Sequence, residues 1–238
     1  MRSDVRHRLK EDRFAAGAKD TYSWAVEHRT NLIGGVVVSS IIIAAALGGY
    51  FYGQKREEAA GLELAKAIRT FNAPIVPAGT PPQPGMDETF SSFKDRALAA
   101  QKKLQDVSSH YQHTDSGKMA RYLTDVARVQ AGDTVAAERD LKQVASSRDQ
   151  DLASLAKMAL ASIYVSTNRE AEALPIYKAL IDHPTATVSQ FEAQLQLASI
   201  YEQQQPQEAL KIYQKMQQEN SGGPASEIAM SKIAALKH

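Results

Sequence analysis

Hydrophobic residues follow two different patterns along this chain. From Leu32 to Gly53 the sequence is apolar on every side of a helix and carries no charged residue. Elsewhere, apolar residues recur every three or four positions among Ala, Gln, Lys and Glu, which is the spacing of amphipathic helices. The pattern therefore predicts an all-α chain, in which one fully apolar helix is followed by a series of helices that each bury one face.

The apolar segment, residues 31–53, is long enough to cross a membrane. As a helix the run spans about 33 Å, against about 30 Å for the hydrocarbon core of a bilayer. Its end carries the aromatic and basic residues of a membrane boundary, Tyr50, Phe51, Tyr52, Lys55 and Arg56. A cleaved signal peptide is an alternative, since Ala44 and Ala46 have the spacing of a cleavage site, and a buried core helix is another. We predict an uncleaved transmembrane helix.

The preceding segment, residues 1–30, is predicted to be a cytoplasmic amphipathic tail. Apolar residues recur in it at near-helical spacing, so it either lies on the lipid headgroups or is a solvated helix that only sets topology. The tail carries seven Lys or Arg, and a long C-terminal part can cross a membrane largely regardless of charge. We therefore predict a cytoplasmic N-terminus. The predicted membrane-interface residues are Trp24, Arg29, Tyr50, Tyr52, Lys55 and Arg56.

The C-terminal part repeats itself. In the first half of three units, Leu123, Leu160 and Leu197 are each 37 residues apart. In the second half, two sets of residues keep a step of 36, namely Ala137, Ala173 and Ala209, and Leu141, Tyr177 and Tyr213. The stretches QAGDT, STNRE and QQQPQ separate the halves and are rich in turn-forming residues. Each unit is therefore predicted to be helix, turn, helix, with alanines that allow close helix packing.

The repeats extend in both directions. An earlier second helix is predicted at FSSFKDRALAAQKKLQDVSSHY, because Ala100 and Leu104 lie 37 residues before Ala137 and Leu141. A Pro-rich loop precedes it, and an amphipathic helix ends the chain as a cap over the last repeat. The predicted domains are the tail (1–30), the transmembrane helix (31–53) and a repeat domain (54–238), with the Pro-rich loop at 72–86 and the capping helix at 224–236.

Two resemblances follow from these residues. The stretch LASIYVSTNREAEALPIYKALIDHP resembles the tetratricopeptide repeat, which implies an α-solenoid. The whole chain, with its LKEDRF and WAVEHR tail motifs, one span and weak Ala-rich repeats, resembles the YfgM-like family of ancillary subunits of the SecYEG translocon. That resemblance implies a single-pass protein of the bacterial inner membrane with a periplasmic repeat domain. It also implies association with translocon subunits and with a membrane-anchored periplasmic chaperone.

The tetratricopeptide resemblance also implies an inner, concave face, built from the first helix of each unit. The residues of this inner face are Lys118, Arg121, Asp125 and Arg128, then Leu155, Met158, Ser162 and Val165, then Glu192, Leu195, Ser199 and Glu202. The face grades from basic through apolar to acidic, and its apolar middle suits unfolded secretory chains or a partner's helix. It lacks the Lys and Asn set by which some such domains hold a C-terminal carboxylate. The alternative is that neighbouring helices bury these residues.

Composition and motifs give no support for catalysis or nucleic-acid binding. The chain has 238 residues, a net charge of +1 and no cysteine, which excludes disulfides, thiolate zinc sites and a cysteine nucleophile. No nucleotide-binding, esterase or metalloprotease motif is present. His110 and His113 form a candidate metal pair, but surface histidines at a helix end are the preferred interpretation. We predict no catalytic, metal or cofactor site and no small-molecule substrate.

The predicted function is therefore that of a non-enzymatic, membrane-anchored interaction scaffold. By resemblance it is an accessory subunit of the Sec translocon that links it to periplasmic chaperones or emerging secretory chains. The alternative is a tetratricopeptide adaptor for wall or outer-membrane assembly without a Sec role. An enzymatic role would require a hydrolytic activity that depends on His110.

Overall fold

The computed structural model describes residues 24, 26, 28–77, 88–219 and 222–236. Nine α-helices have defined bounds within these ranges, namely α1 (Arg29–Phe71), α2 (Phe93–His110), α3 (Asp115–Ala131), α4 (Thr134–Ala145), α5 (Gln150–Ser166), α6 (Glu170–Asp182), α7 (Gln190–Gln204), α8 (Pro206–Glu219) and α9 (Pro224–Leu236). Extended pairing in the same ranges is limited to one isolated parallel bridge between Ile75 and Phe90. The predicted all-α fold is confirmed.

Helix α1 contains the apolar segment and is a candidate membrane span. Its large apolar side chains from Val37 to Tyr52 are between 51% and 66% exposed. The most apolar window of the helix has no buried residue among those described, whereas Leu64 and Ala67, near the C-terminal end of the same helix, are buried in a cluster with residues of α2 and α3. The described contacts divide the chain into two compact units, and the boundary lies between Lys55 and Arg56.

The compact part of the chain from Arg56 onwards is a solenoid of helix pairs. From α2 to α9 each helix packs against the next, and α3 also packs against α5, the equivalent helix of the following pair. The pairs α3–α4, α5–α6 and α7–α8 are the three units read from the sequence, called below the first, second and third units. Contact between equivalent helices of successive pairs is what stacks such repeats into one continuous core.

The repeat-equivalent residues form that core. On the second helix of each unit, the alanine is fully buried and the larger residue four positions later is at most 1% exposed. The set is Ala137 and Leu141, Ala173 and Tyr177, and Ala209 and Tyr213, preceded on α2 by Ala100 and Leu104. A small residue lets two helix backbones approach, and the bulkier one fills the adjacent space.

Polar residues cap the start of several helices, and one of them, Asp133, lies in a predicted turn. Thr114, Asp133, Asp149 and Ser189 each accept a backbone N–H from the first turn of the helix that follows, as N-caps do. Gly132 ends α3 in the left-handed conformation, with φ of 95°. The local sequence therefore determines where these four helices begin and where α3 ends.

Two residues at the start of the solenoid bind the junction between α2 and α3. The Arg56 guanidinium donates to the carbonyl of His110, at the C-terminus of α2, over 2.7 Å. The Glu57 carboxylate accepts the backbone N–H groups of Asp115 and Ser116, at the N-terminus of α3, over 2.8 and 3.0 Å. A cation therefore lies at a helix C-terminus and an anion at a helix N-terminus, which is the favourable sense for both helix dipoles.

Hydrogen bonds join the two described ends of the segment between α1 and α2 to each other and to α2. Lys103 of α2 donates to the Glu88 carboxylate over 2.6 Å and to the Thr70 hydroxyl over 2.8 Å, and Thr70 also donates to Glu88. Most of the predicted Pro-rich loop (72–86) lies outside the described residues, from residue 78 onwards. The predicted domain bounds, the loop and the capping role of α9 stay predictions.

Candidate partner-binding face

The apolar middle of the inner face is only partly covered by the fold. Leu155, Met158 and Val165 of α5 are half-buried and pack at the edge of the core cluster shared by α4 to α7. Ser162, between them on the same helix, is exposed. The second unit therefore presents apolar side chains that still have accessible surface, which is what a partner's apolar segment needs.

The first unit uses two of its predicted inner-face residues to hold its own helices together. Arg128 is 19% exposed and donates to Asp125 on α3 over 2.8 Å and to Asp140 on α4 over 2.5 Å. Asp125 is only 2% exposed, so its side chain supports the fold and offers no surface charge. Sequence reasoning did not find Asp140, because it lies on the other helix of the pair and outside the spacing used to define the face.

Burial controls the ionisation of Asp125. Loss of solvent raises its pKa to about 6, against the opposing attraction of the Arg128 guanidinium. One carboxylate oxygen, Oδ1, is bound by Arg128, whereas Oδ2 is buried without a hydrogen-bond partner among the described groups. The ionised form of this side chain is therefore poorly solvated in the folded chain.

We expect Asp125→Asn to gain stability relative to the wild type as the pH rises from 4 to 7. The folded-state pKa lies above the ordinary value of 3.8, so the wild type has its full carboxyl contribution below about pH 4. That contribution is lost as the pH rises through about 6, while the amide does not titrate. The difference in free energy of unfolding should shift by on the order of 2 kcal/mol.

Denaturant unfolding of the full chain in neutral detergent, followed by circular dichroism at several pH values, measures this shift. Asp182→Asn, which neutralises an exposed aspartate at the end of α6, is the control for a change of net charge. A stability difference between Asp125→Asn and wild type that stays constant across the range would contradict the expectation.

The other two charged positions of the first unit remain at the surface. Lys118 pairs with Asp115 over 2.7 Å, and both side chains are largely solvated, with 42% and 83% exposure. Arg121 is exposed and donates to the amide oxygen of Gln143 on α4. Lys118 and Arg121 therefore keep a solvent-accessible charge, whereas the charge of Arg128 is neutralised inside the first unit.

The acidic end of the inner face is divided in the same way. Glu202 is half-buried, and its carboxylate accepts the Tyr213 hydroxyl over 2.6 Å and the Lys232 ammonium of α9 over 3.0 Å. The carboxylate of Glu202 therefore links α7 to α8 and α9 and is not free to bind a partner's cation. The remaining predicted residues of α7 are accessible: Glu192 and Ser199 are exposed, and Leu195 is half-buried.

The charge of a residue on α7 acts on Tyr122 of α3, in the first unit. Burial raises the pKa of Tyr122 on α3, and the negative charge of Glu192 on α7 raises it further. Three helices, α4 to α6, separate these two side chains in sequence, so the effect reflects proximity in the folded chain.

Of the residues predicted at the membrane interface, one has a defined role in the solenoid. Arg56 donates to the carbonyl of His110 and lies over the Tyr111 ring at 5.9 Å. Trp24 is exposed and stacks on His28 with 5.0 Å between ring centroids. The others, Arg29, Tyr50, Tyr52 and Lys55, are exposed. Contact of these residues with lipid headgroups stays a prediction.

The candidate metal pair shows no further ligands. His110 Nδ1 lies 2.8 Å from the backbone carbonyl of Asp106, one turn earlier on α2. Across the described ranges, no three His, Cys, Asp or Glu side chains are grouped so that they could hold a metal ion. The prediction that the chain uses no cofactor is not tested by this arrangement.

A stacked array of helix pairs defines the class of helical-repeat proteins. The tetratricopeptide repeat-like domain family matches residues 22–237, and the chain belongs to this family. Comparisons with curated proteins and with solved structures return no match. The predicted tetratricopeptide character is confirmed, and such domains typically serve protein–protein interaction. The relation to the YfgM-like family in particular stays a prediction.

Proposed function

We propose that this chain is a single-pass inner-membrane protein whose repeat domain is a non-enzymatic scaffold for protein partners. The observation that carries the proposal is the accessible apolar surface of Leu155, Met158 and Val165 within a tetratricopeptide-like solenoid. Polar or charged groups flank this surface on α3 and α7, so an apolar segment bound there is positioned by its polar neighbours.

The particular role is that of an accessory subunit of the Sec translocon, which links it to a periplasmic chaperone or to emerging secretory chains. The order of elements supports this role, because a basic tail and one apolar helix precede the repeats. Unfolded secretory chains expose extended apolar segments, and these are the ligands for which the half-buried side chains of α5 are suited.

The topology of the proposal has the N-terminus in the cytoplasm and the repeats in the periplasm. Single cysteines at Ser3 and at the exposed Ser231 of α9 test it, because the chain has no cysteine of its own. Intact cells are treated with a thiol reagent that does not cross the inner membrane. We expect labelling at position 231 alone on a full-length, membrane-bound chain. Labelling at position 3 alone would overturn the topology, and a shortened soluble product would indicate a cleaved signal.

Site-specific photo-crosslinking in living bacteria tests the partners. A photoreactive residue replaces Met158 on the inner face, and a control replaces Lys178, an exposed residue of α6. We expect crosslinks to translocon subunits, the chaperone or secretory chains from position 158 and few from position 178. Crosslinks from position 158 to proteins of wall or outer-membrane assembly would favour the alternative adaptor role. Equal capture at both positions would contradict a specific inner face.

A further inference from the structure

A groove on the repeat domain is lined by basic and neutral side chains. It lies where the end of α2, the start of α3, the end of α4 and the start of α5 meet, and it encloses about 660 Å³. We call it the basic groove, after His113, Lys118 and Arg121, which line it together with Gln143, Val144 and Leu152. None of the described residues that line it is acidic. Its volume is in the range of ligand sites, about 300–1,000 Å³.

Arg121 is the cation in this groove that is best placed to bind a ligand. Its guanidinium donates to the neutral amide oxygen of Gln143, and no ion pair joins it to a carboxylate in the described part of the chain. The aspartate one turn later, Asp125, would be its helical partner, but that carboxylate is buried and bound by Arg128. A planar guanidinium with unused donors favours bidentate binding of a carboxylate.

Lys118 adds a second, weaker positive charge. It is paired with Asp115, and the charges of Asp149 and Glu57 also act on it and, with Asp115, raise its pKa. The pair with Asp115 is solvent-exposed, so it is easily exchanged for a ligand carboxylate. His113 lines the same groove and is exposed. The charge of the groove is therefore positive at Arg121 and partly compensated at Lys118.

The groove also has an apolar side that continues towards the inner face. Val144 and Leu152 are buried residues that line it, and Leu155, on the inner face, follows Leu152 by one turn of α5. A ligand that extends from the groove onto α5 therefore passes from a basic environment to an apolar one. A ligand complementary to this surface is an extended polypeptide that carries acidic residues next to apolar residues.

We propose that the basic groove binds an acidic polypeptide segment, with a carboxylate of the ligand held by Arg121 and a second near Lys118. The proposal rests on the proposed function, because it names the chemistry of the chain that the scaffold takes. Recognition comes from complementary charge. It does not use the Lys and Asn residues by which some tetratricopeptide domains hold a C-terminal carboxylate, because the inner face lacks them.

Fluorescence anisotropy with the full-length chain in neutral detergent micelles tests the proposal. The probe is a labelled synthetic peptide with Asp and Glu at one end and Leu and Val at the other. A matched peptide carries Asn and Gln in place of the acids. Arg121→Gln removes the guanidinium from the groove, and Arg69→Gln removes the charge of an exposed arginine of α1 that does not line the groove.

We expect the acidic peptide to bind the wild type more tightly than the amide peptide, and binding to weaken as salt is added. Arg121→Gln should weaken binding of the acidic peptide about tenfold or more, since a charge-assisted hydrogen bond is lost. Arg69→Gln should leave affinity within about twofold. Arg121→Lys, which keeps the charge but lacks the planar guanidinium with its paired donors, should give an intermediate loss of affinity.

Equal affinity for the acidic and amide peptides, or an unchanged affinity in Arg121→Gln, would overturn the proposal. Full competition by inorganic phosphate at the concentration of the peptide would also overturn it, since the groove would then be a simple anion site. These outcomes are separate from failure of the proposed function. Crosslinks to the translocon from Met158 without acidic-peptide binding would leave the scaffold role intact, and peptide binding without such crosslinks would remove only the Sec role.

Discussion

Gly117→Ala should destabilise the repeat domain by about 3 kcal/mol, a larger effect than most single substitutions produce. Gly117 lies in the first turn of α3, where it passes directly over the end of α2. A Cβ atom built there would lie 1.8 Å from the carbonyl oxygen of Tyr111 and 2.6 Å from its carbonyl carbon. Both are backbone atoms, so no side-chain rotation can relieve the overlap.

The surrounding hydrogen bonds prevent an easy backbone shift. The Tyr111 carbonyl accepts the backbone N–H and the hydroxyl of Thr114, over 3.0 and 2.8 Å. The Thr114 hydroxyl in turn accepts the N–H of Gly117 over 3.0 Å. Moving α3 away from Tyr111 therefore breaks the N-cap of the same helix, which adds about 1 kcal/mol to the cost.

Gly61→Ala is the matched control, because it introduces the same methyl group into α1, within the same compact part of the chain, Arg56–His238. Its Cβ would lie 3.6 Å from the Ser116 hydroxyl, an ordinary contact. Alanine is the better helix former by about 1 kcal/mol, so this variant should be slightly more stable than wild type. Denaturant unfolding of both full-length variants in neutral detergent measures the effects. A neutral Gly117→Ala would show that α2 and α3 do not approach as described.

Tyr177→Ala should cost about 3–5 kcal/mol, because it removes a large side chain from the centre of the core. Tyr177 is 1% exposed and belongs to the cluster that joins α4, α5, α6 and α7. The cavity would therefore loosen the contacts between neighbouring units as well as those within one. Since each unit of a solenoid is stabilised by its neighbours, the loss should lower the cooperativity of unfolding too.

Two phenylalanine variants separate the ring from the hydroxyl. Burial raises the pKa of Tyr177 to about 12. The Tyr177 hydroxyl has no hydrogen-bond partner among the described residues, so Tyr177→Phe should change the free energy of unfolding by less than about 0.5 kcal/mol. The repeat-equivalent Tyr213 donates to the Glu202 carboxylate over 2.6 Å. Tyr213→Phe should therefore cost about 1.5 kcal/mol. Equal effects in the two variants would contradict this difference between equivalent positions.

The sequence alone determined the helices and their register. The uncharged run from Leu32 to Gly53, the step of 36 or 37 residues and the polar residues at the turns predict one apolar helix and a series of helix pairs. These features are local or periodic, because helix formation and capping depend on residues within one or two turns. For the same reason the sequence predicted the buried residues Ala137, Ala173 and Ala209 correctly.

The tertiary structure decided what each inner-face residue is free to do. Asp125, Arg128 and Glu202 occupy the predicted positions, yet the structure engages each of them inside the domain. Arg128 binds Asp125 on its own helix and Asp140 on α4, and Glu202 binds Tyr213 and Lys232 on α8 and α9. Arg121 stays accessible because its helical neighbour is taken by Arg128, and Gly117 is required because another helix ends against it. Periodicity assigns a residue to a face of its own helix. Whether that face is covered depends on helices that are distant in sequence, and their positions are determined only by the packing of the whole repeat array.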